Sequence, residues 1–235
     1  MTLVLLVRHG LTPATGTVLA GRTPGISLDD RGREQAGRLA ARLAGVHLDA
    51  IVTSPLERCQ ETAAAIAAAR DGNQVAVQTD ERFAEVGYGD WTGQPLKRLA
   101  KEPLWRVVQA HPSAVRFPGA GGESLAGVQE RAVAAIRDWN ERLGPKGVYL
   151  VCSHGDVIKS IIADSLGMHL DMFQRIQVDP CSLSVVRYTP LRPFVIRMND
   201  TGATLSSRKA EAGDDGAGQG RREEEDAVVG GGAGG

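Results

Sequence analysis

Short apolar runs, typical of buried strands, alternate along this chain with longer stretches that have the period of a helix. The first run, residues 3–7, is Leu-Val-Leu-Leu-Val and contains no polar residue. A continuous apolar run of this length is typical of a central strand in a parallel sheet, because helices cover both faces of such a strand. The alternation therefore predicts an α/β fold: a three-layer α/β/α sandwich with a mostly parallel sheet and helices on both faces.

Six strands and four longer helices are expected from this pattern. The predicted strands are residues 3–7, 50–52, 74–78, 148–152, 182–188 and 194–198. The predicted helices, whose apolar positions recur at helical spacing, are residues 27–44, 56–69, 124–143 and 157–166. Residues 80–122 are rich in glycine, proline and aromatic residues, so we expect short helices at best in that region.

The composition of the chain changes after about residue 200. Residues 201–235 contain no aromatic residue, end in a glycine-rich run, and carry four basic and seven acidic residues. Such a segment buries too little apolar surface to offset the entropy that ordering would cost. We therefore expect one folded domain over residues 1–200 and a disordered, Gly-rich, charged tail over residues 201–235. The whole chain carries a net charge of −1 and the tail −3, so the folded part carries about +2, which suits an anionic substrate.

Charge and cysteine content narrow the class of protein further. A net charge near zero gives no indication of binding to nucleic acid or to an anionic membrane. The first apolar run is too short to span a membrane. The three cysteines, Cys59, Cys152 and Cys181, are far apart in the sequence and form no CxxC pair. We expect them to be reduced, mostly buried thiols in a cytoplasmic protein.

Polar residues stand at the ends of three predicted strands. They are Arg8-His9-Gly10 after the first strand, Thr53-Ser54-Pro55 after the second with Arg58 on the following helix, and Ser153-His154-Gly155 after the fourth. Ligands of open α/β sheets bind beyond the carboxyl ends of the strands, where helix N-termini add backbone N–H groups. If these strands are neighbours, two histidines and two arginines converge on one oxyanion site, and phosphate is its natural occupant.

The motifs around these residues resemble the histidine phosphatase superfamily, also called the phosphoglycerate mutase-like family. They occur in the family's order over about residues 2–190. The matching elements are Arg8-His9-Gly10; Leu28, Gly32, Gln35 and Ala36; Ser54, Pro55, Arg58, Thr62 and Ala63; Glu85, Gly89, Trp91 and Gly93; Gly121 to Ser124; and His154-Gly155. The resemblance implies that residues 1–200 form a catalytic domain with the phosphoglycerate mutase-like fold.

The resemblance also implies a mechanism. His9 would attack phosphorus and carry the phosphoryl group as phosphohistidine, for which its ring must be neutral. Arg8 and Arg58 would bind the phosphoryl oxygens and disfavour the imidazolium form of His9. His154 would donate to a phosphoryl oxygen and be cationic when phosphate is bound. Glu85 would protonate the leaving oxygen and then take a proton from water.

Further phosphate contacts follow from the same resemblance. Arg22 matches the family's Arg-bearing element and is expected to bind phosphate, as is Gly155, which follows His154 and precedes the helix predicted at residues 157–166. Many members carry an asparagine five residues after the Arg-His-Gly glycine, whereas this chain has Thr15, whose hydroxyl could replace the amide contact. Because arginines and histidines supply the positive charge, we expect neither a metal nor another cofactor.

Two alternatives remain open at this stage. One is phosphoryl transfer of the phosphoglycerate mutase type, although the Arg-His-Tyr and paired-arginine patterns of glycolytic mutases are missing here. The other is a non-catalytic module that binds a phosphorylated ligand or phosphoprotein. The favoured hypothesis is that the protein is a phosphomonoester hydrolase that acts on a small phosphorylated metabolite. The identity of that metabolite and the oligomeric state, a dimer among the options, are not readable from the sequence.

Overall fold

The computed structural model describes residues 1–70 and 75–203, and the sheet formed by these residues has six strands. They are β1 (Thr2–Arg8), β2 (Ala50–Thr53), β3 (Val77–Thr79), β4 (Val148–Ser153), β5 (Leu183–Tyr188) and β6 (Pro193–Asp200). Their order across the sheet is β3-β2-β4-β1-β5-β6. The first four of these run parallel, β5 is antiparallel to β1, and β6 is antiparallel to β5. The sequence-based prediction of an α/β fold with a mostly parallel sheet is confirmed.

Helices pack on both faces of the sheet. They are α1 (Asp30–Leu43), α2 (Glu57–Ala68), α3 (Leu96–Leu99), α4 (Pro103–Ala110), α5 (Leu125–Leu143) and α6 (Gly155–Ser165). Short 3₁₀ helices occupy Glu81–Phe83, Gly89–Trp91, Pro112–Ala114 and Leu170–Arg175. The region of residues 80–122 thus contains only short helices, as predicted.

Side chains of β1 alternate between two hydrophobic cores. Leu5 and Val7 face the core that contains Leu39 of α1, whereas Leu6 faces the core that contains Ile136 of α5 and Ile161 of α6. All are buried, and each such side chain contributes about 1.5–3 kcal/mol when it is removed from water. The sheet is therefore the middle of three layers, and β1 is held rigidly at its centre.

Polar caps fix where the two longest helices begin. The Asp29 side chain accepts a hydrogen bond from the backbone N–H of Gly32, and the Ser124 side chain accepts one from that of Gly127. Such caps satisfy backbone donors that have no partner within the helix. The helix predicted over residues 27–44 therefore begins at Asp30, directly after its cap, Asp29.

The strand predicted at 74–78 and the helix predicted at 157–166 also have different bounds in the structure. The predicted strand 74–78 is instead Val77–Thr79, and its first predicted residue lies outside the described residues. The helix predicted at 157–166 begins at Gly155, because His154 adopts the extended backbone of an N-cap. This earlier start places His154 at the helix N-terminus, where backbone N–H groups are exposed.

The expected disordered tail falls almost wholly outside the described residues. Only residues 201–203 follow β6 within the described range, and residues 204–235 lie beyond it. Among the helices of the described ranges, none is long and apolar enough to cross a membrane.

Candidate active site

The three strands with polar ends are neighbours, and their ends are level. Arg8 of β1 is in register with Ser153 of β4, and Thr53 of β2 with Cys152 of β4. Backbone hydrogen bonds continue the pairing beyond the strands, since His9 N–H donates to Ser153 O over 3.0 Å. The residues that follow these strands therefore emerge side by side at one edge of the sheet, as the sequence predicted.

His9 presents one ring nitrogen to the site and anchors the other. Its Nδ1 lies 2.7 Å from the carbonyl oxygen of Gly10. A carbonyl only accepts hydrogen bonds, so Nδ1 carries the ring hydrogen and Nε2 keeps its lone pair. The centroid of the His9 ring lies 5.2 Å from that of His154. His9 is thus oriented so that Nε2 is the atom available to attack an electrophile.

Arg58, on the first turn of α2, joins the two histidines. Its Nε donates to Nε2 of His9 over 3.3 Å, while Nη2 lies 3.3 Å from Nδ1 of His154 and donates to the carbonyl oxygen of Gly21 over 2.8 Å. The side chain is buried, and Nη1 has no hydrogen-bond partner among the described residues. A buried, unsatisfied guanidinium N–H is costly in isolation, so it indicates a site for an anionic ligand.

Arg8 is the second buried cation near His9. It is 2% exposed, and its Nη1 donates to the carbonyl oxygen of Val178 over 2.6 Å. Burial lowers the pKa of Arg8, while the neighbouring carboxylates of Glu85 and Asp156 act in the opposite direction. Arg8 lies close enough to His9 that its charge helps to lower the pKa of that ring.

His154 is fully buried at the N-cap of α6. Its Nε2 lies 2.7 Å from Oγ of Ser54. Because Arg58 donates to Nδ1, Nε2 carries the hydrogen and donates to the serine oxygen. Burial, and then Arg58, hold the pKa of His154 well below its usual range. Burial and the protein's own charges therefore favour neutral His154. The family resemblance implies a cationic His154 when phosphate is bound, and the negative charge of a phosphate dianion would stabilise that form.

The same two effects keep His9 neutral. Burial is the largest cause of the lowered pKa of His9, followed by the charges of Arg58 and Arg8. The hydrogen bond to Gly10 acts in the opposite direction but does not outweigh them. A neutral ring with Nε2 unprotonated is the form that a nucleophile needs.

Glu85 lies in the loop that follows the 3₁₀ helix Glu81–Phe83, and its side chain is buried. Oε1 accepts a hydrogen bond from Val86 N–H over 3.0 Å, and Oε2 lies 3.7 Å from Nδ1 of His154. Burial, and then the nearby charge of Asp156, raise the pKa of Glu85 to about 7, against the opposing effect of Arg58. Near neutral pH this carboxyl group can therefore both give and take a proton.

The remaining predicted phosphate ligands lie around this group. Arg22 is about half exposed; its Nε donates to the carbonyl oxygen of Glu85 over 2.7 Å, and Nη2 pairs with Glu123. The Thr15 hydroxyl lies 3.0 Å from Oγ1 of Thr12, within its own loop. Gly155 is the first residue of α6. The structure thus brings Arg22 to the Glu85 loop and engages Thr15 locally, and phosphate binding by these residues stays a prediction.

Close backbone contact holds the loop after His9 against α1. A Cβ atom on Gly32 would lie 2.0 Å from the carbonyl oxygen of Leu11, and one on Gly10 would lie 2.6 Å from that of Gly32. The side chain of Gln35 accepts from Leu11 N–H over 3.1 Å, and that of Thr62 from Gly10 N–H over 3.2 Å. These contacts explain why the motifs include four residues that take no part in the proposed chemistry: Gly10, Gly32, Gln35 and Thr62.

Sequence reasoning missed a buried polar group next to Glu85. Tyr88 donates to Oδ2 of Asp156 over 2.9 Å, and Nζ of Lys159 lies 4.0 Å from the other oxygen of that carboxylate. All three side chains are buried. Asp156 and Lys159 lie on α6, which was predicted to begin two residues later, so Asp156 fell outside the predicted helix. The signal available in the sequence was the pair of charges at Asp156 and Lys159, which flank Val157 and Ile158 in a mostly apolar stretch.

Within the described residues, no group of three or more His, Cys, Asp or Glu side chains is arranged to hold a metal ion. The three cysteines are free and buried, as predicted. Sγ of Cys59 lies 3.4 Å from Nε2 of His154 and lines the inner wall of the site.

Comparisons with a family model, with curated proteins and with solved structures agree on one family. Residues 4–201 match the model of the histidine phosphatase superfamily (branch 1). Phosphoserine phosphatase 1 of Hydrogenobacter thermophilus is 31% identical over 212 residues, covering 86% of this chain and 93% of the relative. A probable phosphoglycerate mutase of Yersinia enterocolitica is 32% identical over 190 residues, covering 80% and 86%. The crystal structure of a phosphoserine phosphatase of Entamoeba histolytica in complex with 3-phosphoglyceric acid is 27% identical, with a TM-score of 0.74, and the match covers 85% of this chain and 98% of that one.

Proposed function

The chain belongs to the histidine phosphatase superfamily and is a phosphatase, and we propose that it hydrolyses small phosphomonoesters through a phosphohistidine on Nε2 of His9. The observation that carries this proposal is the contact between Nε2 of His9 and Nε of Arg58, 3.3 Å apart in a buried pocket. Nη1 of the same arginine has no partner among the described residues, so it is free to bind a phosphoryl oxygen.

In the first half-reaction, the lone pair on Nε2 of His9 attacks phosphorus. The N–P bond forms as the bond from phosphorus to the ester oxygen breaks, and Glu85 gives its proton to that departing oxygen. The guanidinium groups of Arg8 and Arg58 bind the non-bridging oxygens, whose charge they stabilise in the transition state. The alcohol then leaves and phosphohistidine remains.

In the second half-reaction, water attacks phosphorus on the opposite side from Nε2. Glu85, now a carboxylate, takes a proton from that water as the O–P bond forms and the N–P bond breaks. His9 regains its lone pair, Glu85 its proton, and inorganic phosphate departs. Its raised pKa suits Glu85 to both directions of proton transfer near neutral pH.

His154 and the helix N-terminus at Gly155 complete the proposed phosphate pocket. Arrival of a dianion beside His154 favours its imidazolium form, which then donates to a phosphoryl oxygen. The N–H groups at the start of α6 add further donors. Arg22 and Thr15 remain proposed phosphate ligands at the rim.

The substrate class follows from the relatives. Two of them are named for phosphoserine or were solved with 3-phosphoglyceric acid, which are small phosphomonoesters carrying a carboxylate. We infer that this chain acts on metabolites of similar size. A screen of phosphorylated metabolites, with phosphoserine and 3-phosphoglycerate included, measures that specificity directly. Three free, buried thiols fit a cytoplasmic location, which is part of this proposal.

The nucleophile is tested by p-nitrophenyl phosphate hydrolysis at mildly acidic pH. His9→Ala should abolish turnover, whereas His47→Ala, at an exposed histidine that precedes β2 at the end of that strand away from the site, should leave it unchanged. Near-wild-type hydrolysis by His9→Ala would refute the mechanism. A non-catalytic phospho-ligand module would show no turnover in the wild type. Activity should persist in EDTA, because no step of this mechanism uses a metal.

Mutase chemistry is the second candidate, and a relative named as a probable phosphoglycerate mutase favours testing it. A mutase would return the phosphoryl group from His9 to a second hydroxyl before water arrives. The assay is conversion of 3-phosphoglycerate to 2-phosphoglycerate with bisphosphoglycerate priming. The hydrolase proposal predicts that inorganic phosphate is the main product in that assay.

A further inference from the structure

The Gly-Gly-Glu-Ser element, Gly121 to Ser124, has no part in the phosphate chemistry described so far. Its Glu123 side chain is about one quarter exposed and points to the loop that carries Glu85. Oε2 of Glu123 accepts a hydrogen bond from the backbone N–H of Gly87 over 2.8 Å, and Gly87 O accepts one from Glu123 N–H over 2.8 Å. The element is thus bound to the loop two residues after the proposed acid.

Two arginines from distant parts of the chain converge on the backbone of Glu85 itself. Nε of Arg22 donates to the carbonyl oxygen of Glu85 over 2.7 Å, and Nη2 of Arg131, on α5, donates to the same oxygen over 3.2 Å. Arg131 also donates through Nη1 to the carbonyl oxygen of Arg82 over 2.6 Å. α5 therefore holds the backbone at Glu85 and at Arg82, three residues before it.

Glu123 connects the two arginines. Arg131 binds it with two parallel hydrogen bonds, Nε to Oε1 and Nη2 to Oε2, each 3.0 Å long, and Arg22 donates to Oε2 over 2.8 Å. Burial alone would raise the pKa of Glu123, but the hydrogen bonds from Arg131 and Gly87 lower it, so this carboxylate stays charged. Bidentate pairs of this type fix orientation as well as distance.

Among the described residues, none supports the side chain of Glu85 in this way. Its Oε1 is bound to Val86 N–H, which belongs to the same loop and moves with it. Its Oε2 is 3.7 Å from His154, which is too long for a hydrogen bond. The position of the carboxyl group relative to His9 therefore depends on where the loop backbone is held.

We propose that Glu123 and Arg131, together with Arg22, are positioning residues that hold the Glu85 loop so that its carboxyl group reaches the leaving oxygen. Neither Glu123 nor Arg131 is among the residues proposed to bind the phosphoryl group. This inference rests on the proposed role of Glu85 as general acid. Proton transfer by a positioned side chain contributes about 10²–10⁴-fold, and small displacements of such groups are costly.

The test compares phenyl phosphate with p-nitrophenyl phosphate, which are similar in size but differ in their need for an acid. Phenolate is much more basic than p-nitrophenolate, so its departure depends on protonation by an acid. The less basic p-nitrophenolate departs without one. In Arg131→Met and Glu123→Gln, kcat/KM for phenyl phosphate should fall at least about tenfold more than kcat/KM for p-nitrophenyl phosphate. Arg137→Met, at an exposed arginine on the same helix, should leave the ratio unchanged. The ratio does not depend on how much of each preparation is folded.

A double variant separates this inference from the function beneath it. In a Glu85→Gln background, Arg131→Met should cause no further fall in the ratio, since the acid through which it acts is already gone. Equal losses on both substrates in Arg131→Met, or a full additional fall in the double variant, would overturn the positioning role. If Glu85→Gln alone leaves the ratio unchanged, the acid assignment itself is wrong.

Discussion

Nε of Arg58 lies 3.3 Å from Nε2 of His9, so a fixed cation touches the proposed nucleophile directly. This contact disfavours the imidazolium form of His9, whose Nε2 lone pair accepts the hydrogen bond and is the proposed nucleophile. The same guanidinium lies 3.3 Å from His154 and carries an N–H without a partner among the described residues. Together with burial, this side chain keeps the nucleophile neutral, and it also provides a donor for the substrate.

The pH dependence of kcat/KM for phenyl phosphate follows from two ionisations. His9 acts when neutral, and because its pKa lies well below its usual range, activity should persist at pH values well under about 6.5. Glu85 acts when protonated, so activity should fall as the pH rises through about 7. In Glu85→Gln the alkaline limb due to Glu85 should disappear, whereas the ionisation of the substrate itself is the same in both enzymes. An unchanged alkaline limb in that variant would exclude Glu85 as its origin.

Removing the charge of Arg58 should raise the pKa of His9. In Arg58→Met the His9 ring stays buried, but the positive charge that lowers its pKa most is lost. An NMR titration of the His9 ring should therefore show its pKa moving up toward the usual histidine value. Inhibition by inorganic phosphate should weaken by about tenfold or more, since a charge-assisted hydrogen bond is removed. Arg98→Met, at an exposed arginine of α3, is the matched control, and equal behaviour of the two variants would contradict the assignment.

Asp156 should control the pH at which Glu85 loses its proton. Burial is the main cause of the raised pKa of Glu85, and the charge of Asp156 is the next. In Asp156→Asn the Glu85 pKa should fall, and the alkaline limb of kcat/KM for phenyl phosphate should move to lower pH. Tyr88→Phe, which removes the hydroxyl that donates to Asp156 but keeps both carboxylates, serves as a comparison. A limb that stays fixed in Asp156→Asn would show that burial alone sets the Glu85 pKa.

The order of the elements was predictable because the pattern of apolar residues differs clearly between buried strands and amphipathic helices. Two segments have a pattern clear enough to distinguish strand from helix: the apolar run Leu3 to Val7 and the regular amphipathic helix of residues 125–143. The start of α6 was placed two residues late, because His154 and Gly155 carry no apolar period. The edge strand β3 was displaced because its three residues are half-buried or exposed and have no apolar pattern.

The convergence of the residues at the strand ends was also predictable, since Arg8, His9 and His154 lie at the ends of regular strands. Contacts that depend on the folding of loops were not. Arg22 was assigned to phosphate by resemblance, yet its hydrogen bonds run to the Glu85 carbonyl and to Glu123. Asp156 and Tyr88 meet only after the loop of residues 84–91 packs on α6, a contact between positions 68 residues apart. Sequence spacing carries no information about pairs of this kind.

Gly32 should be intolerant of even a methyl group. A Cβ at this position would lie 2.0 Å from the carbonyl oxygen of Leu11, so Gly32→Ala must displace the loop that follows His9. We expect a loss of about 2 kcal/mol in unfolding free energy, typical of overpacking, together with a fall in kcat/KM. Gly37→Ala on the same helix meets no atom within 4 Å and should instead stabilise the protein by up to about 1 kcal/mol. Urea denaturation of both variants gives the comparison, and equal stability of Gly32→Ala and Gly37→Ala would contradict the close contact.

Phosphorylation of His9 is the central claim, and it can be observed directly. The Glu85→Gln variant should form phosphoenzyme readily from p-nitrophenyl phosphate but lose it slowly, because the base for the attacking water is missing. After rapid mixing, alkaline quenching and tryptic digestion, mass spectrometry should find the phosphoryl group on the peptide of residues 9–22, at His9. Release of p-nitrophenol with the phosphoryl group on another residue, or with no phosphoenzyme formed, would contradict the mechanism.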